Sequence, residues 1–162
     1  MNEILPTLYP ELNHILQKLV TSVQEILGDN FLGAYLQGSF AIGDYDEHSD
    51  VDFIIVMQNE LGEVEIRALQ TMHARIYTLD SHWAQHLEGS YFPKEVLRTP
   101  EKSDEQLWYL DNGSRALIKS THCNTLVVRW VLWENGVILA GPAQNSWLIQ
   151  HRLICCVRKS MM

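Results

Sequence analysis

Two aspartates, Asp50 and Asp52, stand at the start of an apolar segment that runs from Val51 to Met57. Alternate residues of a β-strand point to the same face, so both carboxylates are expected to aim at one point. No Lys or Arg lies near them in the sequence, and two convergent carboxylates are costly unless a cation joins them. Magnesium suits all-oxygen ligands and keeps waters and substrate phosphates in its shell. The pair therefore predicts a Mg²⁺ site that polarises a bound triphosphate.

The segment before this pair predicts a phosphate-binding turn. Gly38 follows a predicted strand, Phe31 to Gln37, and its lack of a Cβ atom lets the chain turn sharply and lets a phosphate approach the backbone. Ser39 supplies a hydroxyl group and a helix N-cap, and the residues from there to Gly43 can form a helical turn. Free backbone N–H groups at such a turn are a ready anion site. Gly43 keeps the next turn compact.

The order of these parts is more specific than any one of them. An apolar strand is followed by Gly-Ser, a spacer that contains Gly43, Ser-Asp-x-Asp over residues 49–52, and a second apolar strand. A Gly-Ser pair alone is usually a turn. An Asp-x-Asp pair alone is more often a solvated strand edge or a fragment of a calcium loop. Together they predict the site of a metal-bound triphosphate.

The remaining elements predict a mixed α/β or α+β layer built on a small sheet. Apolar residues recur at three- and four-residue spacing before Gly28, which is typical of an amphipathic helix. The segment 124–133 is predicted as a helix, and its β-branched content leaves a strand as the competing prediction. The predicted order is a helix over 12–27, strands over 31–37 and 51–57, a helix over 62–77, a strand over 83–92, a polar loop over 93–105, a short strand over 106–110, a helix over 124–133 and a strand over 137–140.

Bulk composition bounds the class of protein. The chain has 162 residues, 46% of them hydrophobic, which is ordinary for one soluble domain with a short appendage. The net charge of -8 counts against a nucleic-acid substrate and is compatible with a cationic acceptor. Three cysteines without CxxC spacing, no signal peptide and no apolar run of roughly 18 residues predict a cytoplasmic protein without a membrane span.

The stretch YLQGSFAIGDYDEHSDVDFIIVM resembles the signature of the nucleotidyltransferase superfamily that includes DNA polymerase beta. Together with the upstream helix and the ending ENGVILAGP, it resembles aminoglycoside nucleotidyltransferases of the streptomycin/spectinomycin adenylyltransferase type over roughly residues 10 to 142. This resemblance implies a small mixed β-sheet with flanking helices, Mg²⁺ as the cofactor and ATP as the nucleotide. It implies metal binding and catalysis at Asp50 and Asp52. The residues that it assigns to the nucleotide are Gly38, Ser39, Gly43 and Ser49.

The family pattern also implies a third carboxylate on a neighbouring strand. The matching position is Glu88, in HLEGSYFP, where the expected role is that of general base for the acceptor hydroxyl. Asp80, in TLDSH, is a weaker competitor because its segment reads as a turn. Enzymes of this type carry a helical C-terminal domain, and this chain ends where that domain should begin. We therefore expect a catalytic domain over 1–145 and an atypical tail over 146–162, the start of a truncated helical domain.

Three functions compete on this sequence. The first is transfer of AMP from ATP to a hydroxyl group of an aminoglycoside-type antibiotic, a polycation that an acidic cleft attracts. The second is a minimal nucleotidyltransferase that acts as an antitoxin and modifies a small helical partner protein. The third is an inactive truncated relic, which the basic, Cys-paired tail over 151–162 motivates. The sequence predicts no oligomeric state.

A few residues outside the signature have two readings. His122 precedes a predicted helix, where capping or surface exposure is favoured over substrate contact. Trp108 and Tyr109 lie on a short predicted strand and suit core packing more than stacking on a sugar ring. Arg129 falls on an apolar helix and reads as a packing or snorkelling residue.

Overall fold

The computed structural model describes residues 5–148. Within that range the chain forms one mixed sheet with helices on both faces. The helices are α1 (Pro10–Leu27), α2 (Ser39–Ile42), α3 (Glu63–Tyr77), α4 (Lys94–Arg98) and α5 (Leu126–Asn135). The strands are β1 (Phe31–Gln37), β2 (Val51–Met57), β3 (Leu87–Pro93), β4 (Leu107–Leu110), β5 (Leu117–Ser120) and β6 (Val137–Ala140). The predicted fold class, a small mixed sheet with flanking helices, is confirmed.

The six strands lie in the order β5-β4-β3-β2-β1-β6. Only β2 and β3 pair in parallel, and the other neighbouring strands of the described sheet are antiparallel. Helix α3 forms the crossover between the two parallel strands, as such a connection requires. The strands β2 and β3 therefore begin at the same edge of the sheet, and residues near their amino ends are brought side by side.

Alternation along the strands divides the apolar residues between two cores. Phe53 and Ile55 of β2 face one core, together with the buried stripe of α1 and the inner face of α3. Ile54 and Val56 face the other core, together with residues of α4 and Leu132 of α5. Strand β2 is thus covered on both faces, as its continuous apolar run predicts.

Helix α1 follows its predicted boundaries and periodicity. It begins at Pro10, whose missing N–H is harmless in the first turn, and it ends before Gly28, which takes a positive φ of 54°. The Gly28 N–H donates to the carbonyl of Gln24 and closes the last turn. The resulting buried stripe anchors the sheet from the side opposite to α5.

Several boundaries differ from the prediction. The apolar spacing over 62–77 predicts Val64 on the inner face of α3, but Val64 is 81% exposed, and His73 takes a buried place on that face instead. Strand β3 begins at Leu87 rather than at residue 83, because the residues Trp83–Gln85 form a 3₁₀ turn. The predicted loop over 93–105 contains the short helix α4. Strand β5 was not predicted.

The predicted short strand near residue 106, the helix near 124 and the strand over 137–140 are all present. Within residues 5–148, no helix combines the length and the apolar character that crossing a membrane requires. The predicted boundary between a catalytic domain and a tail at 145/146 stays a prediction, and the basic tail over 151–162 lies outside the described residues.

Candidate active site

The register of the parallel pair brings Asp52 next to Glu88. Strand β2 pairs with β3 so that Asp52 is opposite Glu88, one residue after each strand begins. Both side chains project from the same face of the sheet as Ile54 and Ser90, two residues further along. This face also carries α5. The carboxylate that the resemblance assigns to the general base and one predicted metal ligand are therefore direct neighbours.

The carboxyl groups of Asp52 and Glu88 are cross-strand neighbours in this pair. Burial, followed by hydrogen bonding to Glu88, the charge of Glu88 and the charge of Asp50, raises the pKa of Asp52 to about 7. Since three carboxyl groups repel one another here, a proton or another cation is needed to hold them together. This is the electrostatic signature of a cation site or of a carboxyl pair used for proton transfer.

Asp50 turns toward a histidine. Its Oδ1 lies 3.5 Å from Nδ1 of His86, and the same nitrogen lies 3.2 Å from Oδ1 of Asn112. Both partners are oxygen acceptors, so they are matched to an N–H at Nδ1. The Asp50 side chain is half exposed. No pattern in the sequence points to this contact, because His86 reaches the site only through the parallel pairing of β2 and β3.

The chain turns beside Asp52 at Gly38. Gly38 has a φ of 69°, a backbone conformation that residues other than glycine rarely adopt. A Cβ atom at this position would clash with Oδ2 of Asp52. The absence of a side chain at Gly38 therefore lets a predicted metal ligand lie directly against the backbone of the turn.

Helix α2 follows this turn as a single turn of helix. Gly38 is its N-cap residue, and Ser39 is its first helical residue without a side-chain capping bond, so the prediction that Ser39 supplies the cap is wrong. The left-handed C-cap is Gly43, with a φ of 81°. The compact turn predicted over these residues is thus confirmed, and the Ser39 hydroxyl makes no capping hydrogen bond to the helix.

Ser49 lies in the polar turn that leads to β2. Its hydroxyl accepts a hydrogen bond from the backbone N–H of Asp46 at 2.9 Å, and its own N–H donates to the Asp46 carbonyl. Ser49 thereby closes the turn that delivers Asp50 to the site. Its predicted contact with the nucleotide stays a prediction, as do the nucleotide roles of Gly38, Ser39 and Gly43.

Glu88 has a partner that the sequence did not reveal. The Tyr109 hydroxyl donates to Glu88 Oε1 at 2.5 Å and lies 3.1 Å from Oδ1 of Asp111. Tyr109 is buried, and its ring also contacts the ring of His122, with the centroids 5.4 Å apart. The expectation that Tyr109 only packs in the core is therefore incomplete.

His122 does not cap helix α5. The cap is Thr125, whose side chain accepts from the N–H of Val128 at 3.0 Å. The His122 side chain is 65% exposed, and its Nε2 lies 3.9 Å from Glu88 Oε1. It stands at the surface of the site, on the side of Glu88 away from β2.

The carboxylates fit magnesium by the chemistry of their donor atoms. In the part of the chain that the structure describes, no three His, Cys, Asp or Glu side chains form a ready metal cluster. A magnesium site, however, often needs only one or two protein carboxylates, because waters and substrate phosphates supply the other ligands. Asp52 lies against the glycine turn at Gly38, and Asp50 is close enough to act on its charge. These two residues fit the ion.

The sheet with its one parallel pair, the glycine turn and the paired carboxylates together define a nucleotidyltransferase. Residues 16–106 match the nucleotidyltransferase domain family, which is more than half of the chain. The chain belongs to this family. The matched range contains the turn at Gly38, both aspartates and Glu88. A comparison with curated proteins finds no match.

Two solved structures resemble the fold. One is the crystal structure of the spectinomycin adenyltransferase AAD(9) from Enterococcus faecialis with ATP and spectinomycin, which has a TM-score of 0.67 and 13% sequence identity. That likeness covers 91% of this chain and 66% of the other, so the chain spans less than two thirds of that protein's length. The second is a toxin-antitoxin with AMP-PNP, at a TM-score of 0.43 and 12% identity over 90% of this chain and 86% of that one.

Proposed function

We propose that this chain transfers AMP from ATP to a hydroxyl group of a small cationic acceptor of the aminoglycoside type, in a Mg²⁺-dependent reaction. The observation that carries the proposal is the pairing of Asp52 with Glu88 in register, beside Asp50 and against the glycine turn at Gly38. This arrangement provides a cation site and a base on one face of the sheet. The membership of the nucleotidyltransferase domain family supports the class of reaction.

The nucleotide half of the site is assigned to the turn before β2. Gly38 lets the Asp52 carboxylate lie against the turn, and the first N–H groups of α2, with the Ser39 hydroxyl, can donate to phosphate oxygens. Asp50 and Asp52 would hold Mg²⁺, which when bound neutralises phosphate charge and polarises the α-phosphorus. To bind the ion, the Asp50 side chain would rotate away from His86, which is a short movement for a half-exposed residue.

The acceptor half is assigned to Glu88. Its carboxylate takes the proton of the acceptor hydroxyl as that oxygen attacks the α-phosphorus, and the bond from the α-phosphorus to the bridging oxygen breaks. The products are the adenylylated acceptor and pyrophosphate. Glu88 is suited to this role because its side chain is only 18% exposed and one of its carboxylate oxygens, Oε1, accepts a hydrogen bond from Tyr109.

Charge favours a cationic acceptor. The chain carries a net charge of -8, and the outer part of the site adds the exposed carboxylate of Asp111 to that of Glu88. Such a surface attracts a polyamine-like molecule and repels a nucleic-acid backbone. The similar fold of a spectinomycin adenyltransferase with ATP and spectinomycin supports ATP and an aminoglycoside-type acceptor as the first pair to test.

The test is a transfer assay with ATP, Mg²⁺ and a panel that contains spectinomycin and streptomycin, read by mass spectrometry. The expected product carries one added adenylyl group, with one pyrophosphate released. Asp52→Asn and Glu88→Gln are expected to lower the rate by about 100-fold or more, because each removes a carboxylate that acts in the transition state. Asp80→Asn, at the exposed competing carboxylate, is the matched control and should keep the wild-type rate.

The outcomes separate the parts of the proposal. Release of pyrophosphate without modification of any panel member would refute the acceptor class but keep the reaction class. Label from [α-³²P]ATP appearing on a protein band would point to a protein acceptor instead. The absence of both, with intact ATP, would refute the transfer reaction itself.

A further inference from the structure

We propose that Tyr109 is a positioning residue that fixes the orientation of the Glu88 carboxylate for proton acceptance. The inference rests on the proposed function, in which Glu88 is the base. Neither the signature around the Asp pair nor the family match over residues 16–106 includes Tyr109. The assignment comes from the geometry of β3 and β4.

The antiparallel register of these strands delivers Tyr109 to the site. Tyr109 pairs with Ser90, and Glu88 lies two residues before Ser90 on the same face of β3. The Tyr109 side chain therefore reaches diagonally to Glu88, a distance that a long aromatic residue can span. Its hydroxyl meets Glu88 Oε1 at 2.5 Å, and only 3% of the residue is exposed.

The hydroxyl group of Tyr109 acts as a donor. Burial, followed by the hydrogen bond and charge of Glu88, raises the pKa of Tyr109 well above its usual value, so the phenol keeps its proton. It has one O–H to offer and two carboxylate oxygens nearby, and the Glu88 oxygen at 2.5 Å is closer than the Asp111 oxygen at 3.1 Å. Asp111 also accepts from the N–H of Asn112, which gives it another donor.

One oxygen of Glu88 is thus engaged, and the rotation of the carboxylate is restrained. Oε1 accepts from Tyr109 and faces the exposed His122 ring, 3.9 Å from Nε2. This assigns Oε2 as the oxygen that takes the acceptor proton. A general base must be held within hydrogen-bond reach of the proton it removes, and a misplacement of about 1 Å can cost about 100-fold in rate. Tyr109 supplies this restraint.

The first experiment is a kinetic comparison of Tyr109→Phe with Tyr91→Phe. Tyr109→Phe keeps the ring and its packing and removes only the hydroxyl group. Tyr91→Phe removes an equally buried hydroxyl from the adjacent strand β3, but that group contacts His73 at 2.7 Å in the other core. We expect Tyr109→Phe to lower kcat about 10- to 100-fold with the KM for ATP within about twofold. Tyr91→Phe should leave kcat within about twofold of wild type.

The second experiment does not need catalysis. Urea unfolding of Tyr109→Phe, Glu88→Gln and the double variant forms a double-mutant cycle. If Tyr109 donates to the Glu88 carboxylate, the effect of the double variant on the unfolding equilibrium constant should differ from the product of the two single effects by about tenfold.

The results distinguish the inference from the proposed function. Independent effects in the cycle would overturn the contact, and with it the inference, whether or not the wild type transfers AMP. Coupling together with an unchanged kcat in Tyr109→Phe would also overturn the positioning role. Coupling with a wild type that consumes no ATP would refute the proposed function, and with it the purpose assigned to Tyr109, but not the contact.

Discussion

Asp52 and Glu88 lie opposite each other on the parallel strands β2 and β3, and the pKa of Asp52 is raised by burial, by Glu88 and by Asp50. In the absence of a cation, a proton on Asp52 relieves the repulsion that Asp50 and Glu88 exert on it. The pair therefore links the stability of the metal-free protein to pH. The link has a definite sign, because Asp52 binds its proton more tightly in the folded chain than in the unfolded chain.

The first prediction is the pH dependence of Asp52→Asn. The pKa of Asp52 is about 7 in the folded chain against 3.8 for the free side chain. Between these values the folded state holds a proton that the unfolded state has lost, so the contribution of Asp52 to stability falls as pH rises from about 4 to about 7. Asp52→Asn removes this loss. In chelator-treated protein the variant should gain on wild type by roughly a few kcal/mol over that range, since each pKa unit is about 1.4 kcal/mol.

The measurement is urea unfolding at several pH values, with EDTA present. Asp80→Asn serves as a control that shows whether loss of any one carboxyl group gives the same difference. A difference in unfolding free energy between Asp52→Asn and wild type that stays constant from pH 4 to pH 8 would contradict the raised pKa of Asp52.

The second prediction concerns Gly38→Ala. A methyl group there meets the Asp52 carboxylate and also forces an alanine to a φ of 69°. We expect transfer activity to fall about 100-fold or more, because the methyl group displaces the carboxylate of a proposed metal ligand. The strain should also cost about 1 to 3 kcal/mol of stability.

Gly28→Ala separates these effects. Gly28 has a similar φ of 54°, but a Cβ atom at this position meets no atom within 4 Å. It should show the loss of stability with nearly full activity. Equal activities of the two alanine variants would show that the close approach of Asp52 to Gly38 is not needed for transfer.

The parts of the site that lie close together in the sequence were predictable from it. The turn at Gly38 and the Asp50–Asp52 pair depend on local chain geometry and on the alternation along one strand, and both are visible in the order of the residues. The first helix was also predictable, since a long apolar period indicates a buried face without knowledge of its partner. The neighbourhood of Asp52 and Glu88 needed the resemblance, because the sequence alone does not fix which strands pair.

The rest depended on cross-strand register. Tyr109 reads as an apolar strand residue until β4 is placed against β3, where its hydroxyl falls on Glu88. His86 precedes β3 and meets Asp50 only because β2 and β3 start together. Strand β5 escaped prediction because it is four residues long and lies at the sheet edge, where Ile118 and Lys119 remain exposed.

The third prediction concerns Arg129, which the sequence suggested as a packing or snorkelling residue. It is fully buried, so it does not snorkel, and its guanidinium donates to the carbonyls of Val96, Leu97 and Thr125 and to the Asn124 side chain. The guanidinium group therefore links α4 to α5 beside the core that contains Ile54 and Val56. Arg129→Met removes the donors and leaves buried oxygen acceptors without them, so we expect a loss of about 3 kcal/mol or more in unfolding free energy.

Arg67→Met is the matched control for that measurement. Arg67 lies on the exposed face of α3 and pairs with Glu63 four residues earlier, at 3.0 Å. Exposed pairs of this kind contribute well under about 1 kcal/mol. Comparable losses in the two variants under urea would argue against a structural role for the buried guanidinium.

The last prediction concerns His73, which opposes Asp52 in the response to pH. His73 is buried between Phe53 and Tyr91, and burial lowers its pKa to about 3. The unfolded chain takes up a proton near pH 6.5 that the folded chain refuses, so the contribution of His73 is complete above pH 6.5 and is lost as pH falls toward 3. The losses from His73 and from Asp52 run in opposite directions between about pH 4 and 6.5. Wild-type stability should therefore vary little over that range.

The Asp52→Asn variant makes the contribution of His73 to the pH dependence of stability measurable. There, stability should fall by roughly a few kcal/mol between pH 6.5 and pH 4. Addition of His73→Gln should flatten that profile, because glutamine stays neutral and can still bond to the Tyr91 hydroxyl. His14→Gln, at an exposed position of α1, is the control for loss of a histidine as such. A steep acid loss that persists in the Asp52→Asn, His73→Gln double variant would place the responsible group elsewhere in the chain.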